Sequence, residues 1–185
     1  MGLILVRHTR PDVAEGLCYG QTDLDVADTF ADEAAAVLSA LPQVCRVVAS
    51  PLKRCRALAQ YIADAADLPL DIDERLMEID FGAWEGRPWS EVPGQEIDAW
   101  AENFLHARPH GGESVAMLRS RVSAALADWS ARGEPIVIVT HAGVIKAASA
   151  EAGDPVWDFK VPIDFGGIIA LPDAGGNPAG RSNHD

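Results

Sequence analysis

Two short apolar runs constrain what this chain can fold into more than any other feature. LILV, Leu3–Val6, runs straight into Arg7 and His8, and IVIVT, Ile136–Thr140, runs into His141 and then small residues. Neither run alternates polar with apolar, so each reads as a strand covered on both faces, the signature of a parallel sheet. CRVVAS (Cys45–Ser50), LPLDID and GGIIAL (Gly166–Leu171) read as further short strands. Between them lie helical periods. Thr29–Leu41 follows Asp28 as its expected cap, PLKRCRALAQYIADAA carries Leu52, Cys55, Leu58, Ala59 and Ile62 on one face, Ser114–Arg132 carries Val115, Leu118, Val122, Leu126 and Trp129, and Ala142–Ala152 closes the series. The spacing predicts a three-layer α/β/α fold, with a mostly parallel sheet of about five to six strands and helices on both faces.

With 185 residues the chain is long enough for one full hydrophobic core. A single domain is expected over residues 1–171. Residues 84–110, rich in Trp, Gly and Pro around a short helix at Ile97–His106, are expected to form a small cap-like insertion. The Gly- and Pro-rich residues 172–185 are expected to form a disordered tail. No apolar run approaches a membrane span and no leader pattern precedes Arg7, so a cytoplasmic location is expected. The net charge of −13 disfavours nucleic acid and anionic membranes as partners. Three cysteines without CxxC spacing speak against a disulfide framework and a cysteine zinc site.

In a parallel sheet, ligands sit beyond the carboxyl ends of the strands. Arg7 and His8, Ser50–Arg54, and His141 all leave such ends, so they are expected on one rim. Two arginines and two histidines suit a dianionic tetrahedral group. A guanidinium matches phosphate oxygens, and a neutral imidazole can attack phosphorus. Ala142 and Gly143 open a helix whose first N–H groups add donors.

The order RHT, SPLKR (Ser50–Arg54), EIDFGAWEG (Glu78–Gly86), GGES (Gly111–Ser114) and THAGV resembles the histidine phosphatase superfamily, which includes the cofactor-dependent phosphoglycerate mutases. The resemblance spans Leu3 to about Leu171. It implies that His8 is the nucleophile and becomes phosphohistidine. It implies that Arg7, Arg54 and His141 hold the phosphoryl oxygens, and that Glu78 protonates the leaving alcohol and then activates water. It implies no metal and no cofactor. Thr9 stands where the family has glycine, and Arg10 where it usually has glutamate, which puts an extra positive charge at the pocket mouth. HTRPDVAEGLCYGQTDLDV looks most like the α-ribazole phosphatase branch.

The expectation is therefore a phosphomonoesterase acting on a small phosphorylated metabolite, α-ribazole 5′-phosphate being one candidate. A phosphoglycerate mutase and a non-catalytic phosphate-binding module are the alternatives. The mutase is disfavoured because residues 84–110 add little chain around the pocket. Arg10, Tyr19, Gln21 and Ala142 join Arg7, Arg54 and His141 as expected substrate contacts, with loop packing an equal reading for Cys18 and Tyr19. Trp84 or Trp89 is a candidate pocket wall, His106 and His110 read as loop residues, and Glu113 and Ser114 read as helix-capping. A homodimer is left open.

Overall fold

The computed structural model describes residues 2–151 and 162–171. The elements run β1 (Leu3–Arg7), α1 (Phe30–Ala40), β2 (Arg46–Ala49), α2 (Lys53–Ala66), β3 (Leu70–Ile72), α3 (Gly94–Glu102), α4 (Val115–Ser130), β4 (Ile136–Thr140), α5 (Ala142–Glu151) and β5 (Ile168–Ala170). The last residue of the expected fifth helix, Ala152, and the tail 172–185 lie outside the described residues.

The strands form one sheet in the order β3-β2-β4-β1-β5. β1, β2, β3 and β4 are mutually parallel, and β5 runs antiparallel at one edge, Leu5 facing Ile169. Such an edge strand on a parallel sheet is a common device. The expected α/β architecture, mostly parallel with helices around it, is what the chain adopts. The strands read as uniformly apolar because both faces are covered. Leu3, Leu5, Ile136 and Ile138 point toward α4 and α5, whereas Ile4, Val6, Val137 and Val139 point toward α1 and α2. The period of two is present in space but invisible in hydropathy.

Two local details differ from the sequence reading. Asp28 does not cap α1. Thr29 is the N-cap, and its hydroxyl donates to Glu33 Oε1 at 2.8 Å instead of accepting from the helix. The α3 helix begins at Gly94 and ends at Glu102, earlier than expected, because Pro93 starts it and Asn103 leaves helical geometry. Ser114 caps α4 as expected, accepting from the Met117 N–H at 3.2 Å.

Residues 9–25 have no helix or strand of their own and are tied down by backbone bonds. The Cys18 N–H donates to the Arg87 carbonyl at 2.8 Å, and the Gly86 N–H donates to the Cys18 carbonyl at 2.9 Å. Beneath this junction Phe81, Trp84, Trp89, Trp100 and His110 pack edge to face. Trp84 is fully buried, its indole N–H donating to Glu96 at 2.6 Å. It therefore supports the site from below and does not wall it. His110 accepts from the Gly112 N–H at 3.0 Å and packs 4.8 Å from Trp84, a loop role. Among the described residues no helix is long and apolar enough to cross a membrane.

Candidate active site

The parallel register aligns Arg7 with Thr140 and Ala49 with Val139, so β1, β4 and β2 end on the same edge of the sheet. His8, Ser50 and His141 are the next residues, and all three are buried. Arg54 enters from the first turn of α2 and is completely enclosed. Its Nη1 and Nη2 donate to the Thr22 and Gly20 carbonyls at 2.7 and 2.6 Å, so the long loop docks on the guanidinium. Its Nε is buried without a partner, and so is the Nε of Arg7. Among the described residues no carboxylate lies within salt-bridge distance of either arginine. Burial draws the Arg7 pKa down, opposed by Tyr19, Glu78 and Asp164. An enclosed guanidinium (Arg54) and a half-buried one (Arg7), each with a buried Nε lacking a partner, concentrate positive charge at this point of an acidic protein.

His8 Nδ1 lies 2.7 Å from its neighbour's carbonyl, Thr9 O. A carbonyl only accepts, so Nδ1 carries the proton and Nε2 of the neutral ring keeps its lone pair. Burial first, then the positive charges of Arg54 and Arg7, push the His8 pKa down to about 3, against the bond to Thr9. The ring is therefore neutral near pH 7. His141 packs edge-on with ring centres 5.2 Å apart. Its Nε2 is 2.8 Å from Ser50 Oγ and 3.4 Å from the buried Cys55 sulfur. Burial, His8 and the surrounding arginines hold its pKa well below the usual imidazole value. Burial likewise pushes the Cys55 thiol up, so that sulfur packs as a neutral group.

The Glu78 carboxylate accepts from the Ile79 N–H at 2.9 Å and from the Gly143 N–H at 3.1 Å. The first turn of α5 thus seats it. A Cβ at position 143 would fall 2.1 Å from Glu78 Oε1, so only glycine leaves the space. Three further side chains hold the Glu78 segment. Arg121 donates to the Glu78 carbonyl at 2.9 Å and to Met77 O at 2.6 Å, and is itself paired with Glu113 at 2.7 Å. Gln21 Nε2 donates to the Glu78 carbonyl at 3.1 Å. Glu85 pins the loop opposite, accepting from the N–H groups of Gln21, Thr22 and Phe81 and from the Thr22 hydroxyl. Burial works against the charge on Glu85, but these bonds outweigh it and lower its pKa.

The structure brings Arg7, His8, Arg54, His141 and Glu78 into one neighbourhood. Tyr19 joins them, near enough to Arg7 to act on its pKa and with its ring 5.4 Å from the Arg54 guanidinium. Ala142 lies beside Glu78 on a cavity wall. Arg10 does not turn inward: its side chain is 60% exposed and paired with Glu33 of α1 at 3.5 Å, while its guanidinium stands 5.3 Å from the Phe165 ring. The side-chain amide of Gln21 is engaged with the Glu78 backbone. Residues the sequence reading passed over are Ile163, whose carbonyl accepts from Arg7 Nη1, and Phe165, whose ring lies 3.8 Å under the Arg7 guanidinium and 5.6 Å from His8. The Gly166 N–H bonds the Arg7 and His8 carbonyls at 3.1 and 3.2 Å, locking this clasp onto β1. No motif in the sequence marks it. Among the described residues no cluster of His, Cys, Asp or Glu could hold a metal ion.

The fold gathers two arginines and two histidines at the carboxyl edge of a parallel sheet. A sequence model of the histidine phosphatase superfamily (branch 1) matches residues 3–166, and the chain belongs to that superfamily. It is 33% identical over 176 residues to a glucosyl-3-phosphoglycerate phosphatase from Mycolicibacterium vanbaalenii, covering 86% of this chain and 77% of that one. It is 28% identical over 174 residues to an adenosylcobalamin/α-ribazole phosphatase from Salmonella typhimurium, covering 87% and 86%. Its fold is similar to that of the α-ribazole phosphatase from Shigella flexneri, with a TM-score of 0.81 at 26% identity over 92% of this chain and 89% of that one.

Proposed function

We propose that the protein is a phosphomonoesterase that works through a phosphohistidine at His8. One observation carries the reading: an enclosed arginine and a half-buried one, each with a buried Nε that lacks a partner, stand beside a histidine whose Nε2 lone pair is free. A phosphoryl group meets both demands, because its oxygens take the unused donors while its phosphorus accepts the lone pair. His8 Nε2 forms the N–P bond as the ester P–O bond breaks. The departing oxygen takes the electron pair and a proton from Glu78. Glu78 then removes a proton from water, the hydroxide oxygen attacks phosphorus, and the N–P bond breaks with its electron pair returning to Nε2. Arg7 and Arg54 neutralise the charge that builds on the equatorial oxygens, and the neutral His141 offers them a ring N–H, without a metal.

The substrate is a small phosphorylated metabolite. The relatives act on glucosyl-3-phosphoglycerate and on α-ribazole phosphate by name, and the His8–Val26 loop resembles the second group, so both esters belong on the test panel. Phosphate release from aryl and alkyl phosphates is the assay, with acid-labile phosphate trapped on the protein by rapid quench. His8→Ala is expected to lose both signals. Full turnover by that variant overturns the mechanism.

A further inference from the structure

Between Ile163 and Gly167 the chain runs back along the end of β1. Resting on the phosphatase reading above, we infer that Phe165 is a positioning residue: the face of its ring holds the Arg7 guanidinium flat, so that the donors in the guanidinium plane stay free for a phosphoryl oxygen.

Arg7 has an orientation to keep and few groups to keep it. Among the described residues it forms no ion pair. Its Nη1 donates to the Ile163 carbonyl, and its Nε is buried without a partner. One bond in the guanidinium plane leaves the group free to tilt about that bond. The Phe165 ring removes this freedom, its centre 3.8 Å from the guanidinium carbon. Arg10 stands 5.3 Å from the same ring with an exposed side chain, so Arg7 is the cation the ring holds.

An aromatic face suits this task better than a carboxylate. The negative face of the ring attracts a cation stacked on it. The N–H donors of a guanidinium all lie within its own plane, so the ring takes none of them. A carboxylate would take a pair of donors and cancel the charge that a phosphoryl group needs.

The ring is also fixed to the residue it holds. Residues 164–167 form a tight turn, the Gly167 N–H donating to the Asp164 carbonyl at 2.9 Å. Gly166 has φ +72°, the left-handed geometry that the third position of a type II turn requires. The turn is bonded to both polar groups of the Arg7 backbone. The Arg7 N–H donates to the Gly167 carbonyl at 3.0 Å, and the Gly166 N–H donates to the Arg7 and His8 carbonyls at 3.1 and 3.2 Å. Phe165 and Arg7 therefore share one backbone frame with His8, whose ring centre is 5.6 Å from that of Phe165.

The test nearly keeps the shape of the ring and reverses the charge of its face, by Phe165→pentafluorophenylalanine. Phe165→Leu is the second variant and Phe165→Tyr the rescue. Inorganic phosphate is the probe, its Kd read by calorimetry, with kcat/KM for p-nitrophenyl phosphate read beside it. The fluorinated and Leu variants are expected to bind phosphate about tenfold more weakly, with kcat/KM falling in step. Phe165→Tyr is expected to stay within twofold of wild type. A fluorinated variant that binds phosphate within twofold of wild type overturns the inference, because the ring then only fills space. So does a Phe165→Tyr variant as weak as Phe165→Leu, or a wild-type protein that binds no phosphate. The phosphatase reading fails in a different way, with the wild-type protein releasing phosphate from neither an aryl nor an alkyl ester while the calorimetric comparison still stands.

Discussion

Replacing Gly143 by alanine puts a methyl group where the Glu78 carboxylate now sits. The new Cβ would stand 2.1 Å from Oε1 and 3.0 Å from Cδ. Ordinary contact begins near 3.4 Å, so the carboxylate must retreat by about 1.3 Å. It loses the Gly143 N–H bond as it goes. A misplacement of about 1 Å can cost roughly 100-fold in rate, and general acid catalysis contributes roughly 100- to 10,000-fold. For an alkyl phosphate, whose alkoxide cannot leave unprotonated, kcat/KM is therefore expected to fall by about 100-fold. For p-nitrophenyl phosphate, whose phenolate leaves without a proton, the loss on the first step is expected to be under about tenfold. Binding of inorganic phosphate, measured as competitive inhibition, should change little, because Arg7 and Arg54 are untouched. Stability is expected to fall by about 0.5–2.5 kcal/mol. Alanine in a helix gains about 0.5–1 kcal/mol over glycine, which offsets part of the roughly 1.5–3 kcal/mol of a charge-assisted hydrogen bond. The kcat/KM values of the two esters are the assay, because they report the transfer to His8 and not the water step that both esters share. Equal losses on the two would refute the reasoning, since they would mean that position 143 acts through the phosphoryl rim. Full activity on the alkyl ester would mean that Glu78 does not protonate from this seat.

Two further outcomes follow from the buried histidines. Ser50→Ala removes the oxygen 2.8 Å from His141 Nε2. Leaving that buried nitrogen without it is expected to cost about 1–3 kcal/mol in urea denaturation, together with a fall in kcat; unchanged values for both would show that the contact carries no energy. Acid should destabilise the fold well above the carboxylate range. The His8 pKa lies at about 3 when folded and near 6.5 unfolded, so its contribution is fully present above pH 6.5. It is lost as pH falls toward 3, because the unfolded chain takes up the proton and the folded one does not. The slope is about 1.4 kcal/mol per pH unit, with His141 adding in the same direction. Denaturation at pH 7.5, 6 and 5 reads it, and a flat profile there would contradict the burial argument.

The sequence by itself determined the rim. Apolar runs ending in Arg7–His8, Ser50 and His141 require a parallel sheet covered on both faces, and parallel strands bring their carboxyl ends to one edge. The strand order that seats β4 between β1 and β2 is a tertiary result, yet the residues involved were legible because each directly follows its strand. Glu78 was legible only through the spacing of its motif. What seats it comes from remote segments: Gly143 in α5, Arg121 in α4 and Gln21 in the long loop, brought together by packing that no local pattern encodes. The same holds for Phe165 under Arg7, 158 positions further along the chain, and for Arg10, whose charge the sequence places near the mouth while Glu33 of α1 draws its guanidinium outward. Local periodicity reports how a segment meets its neighbours in the chain. Which carbonyl satisfies a guanidinium, and which glycine makes room for a carboxylate, depend on contacts between residues dozens of positions apart, and the folded core alone decided them.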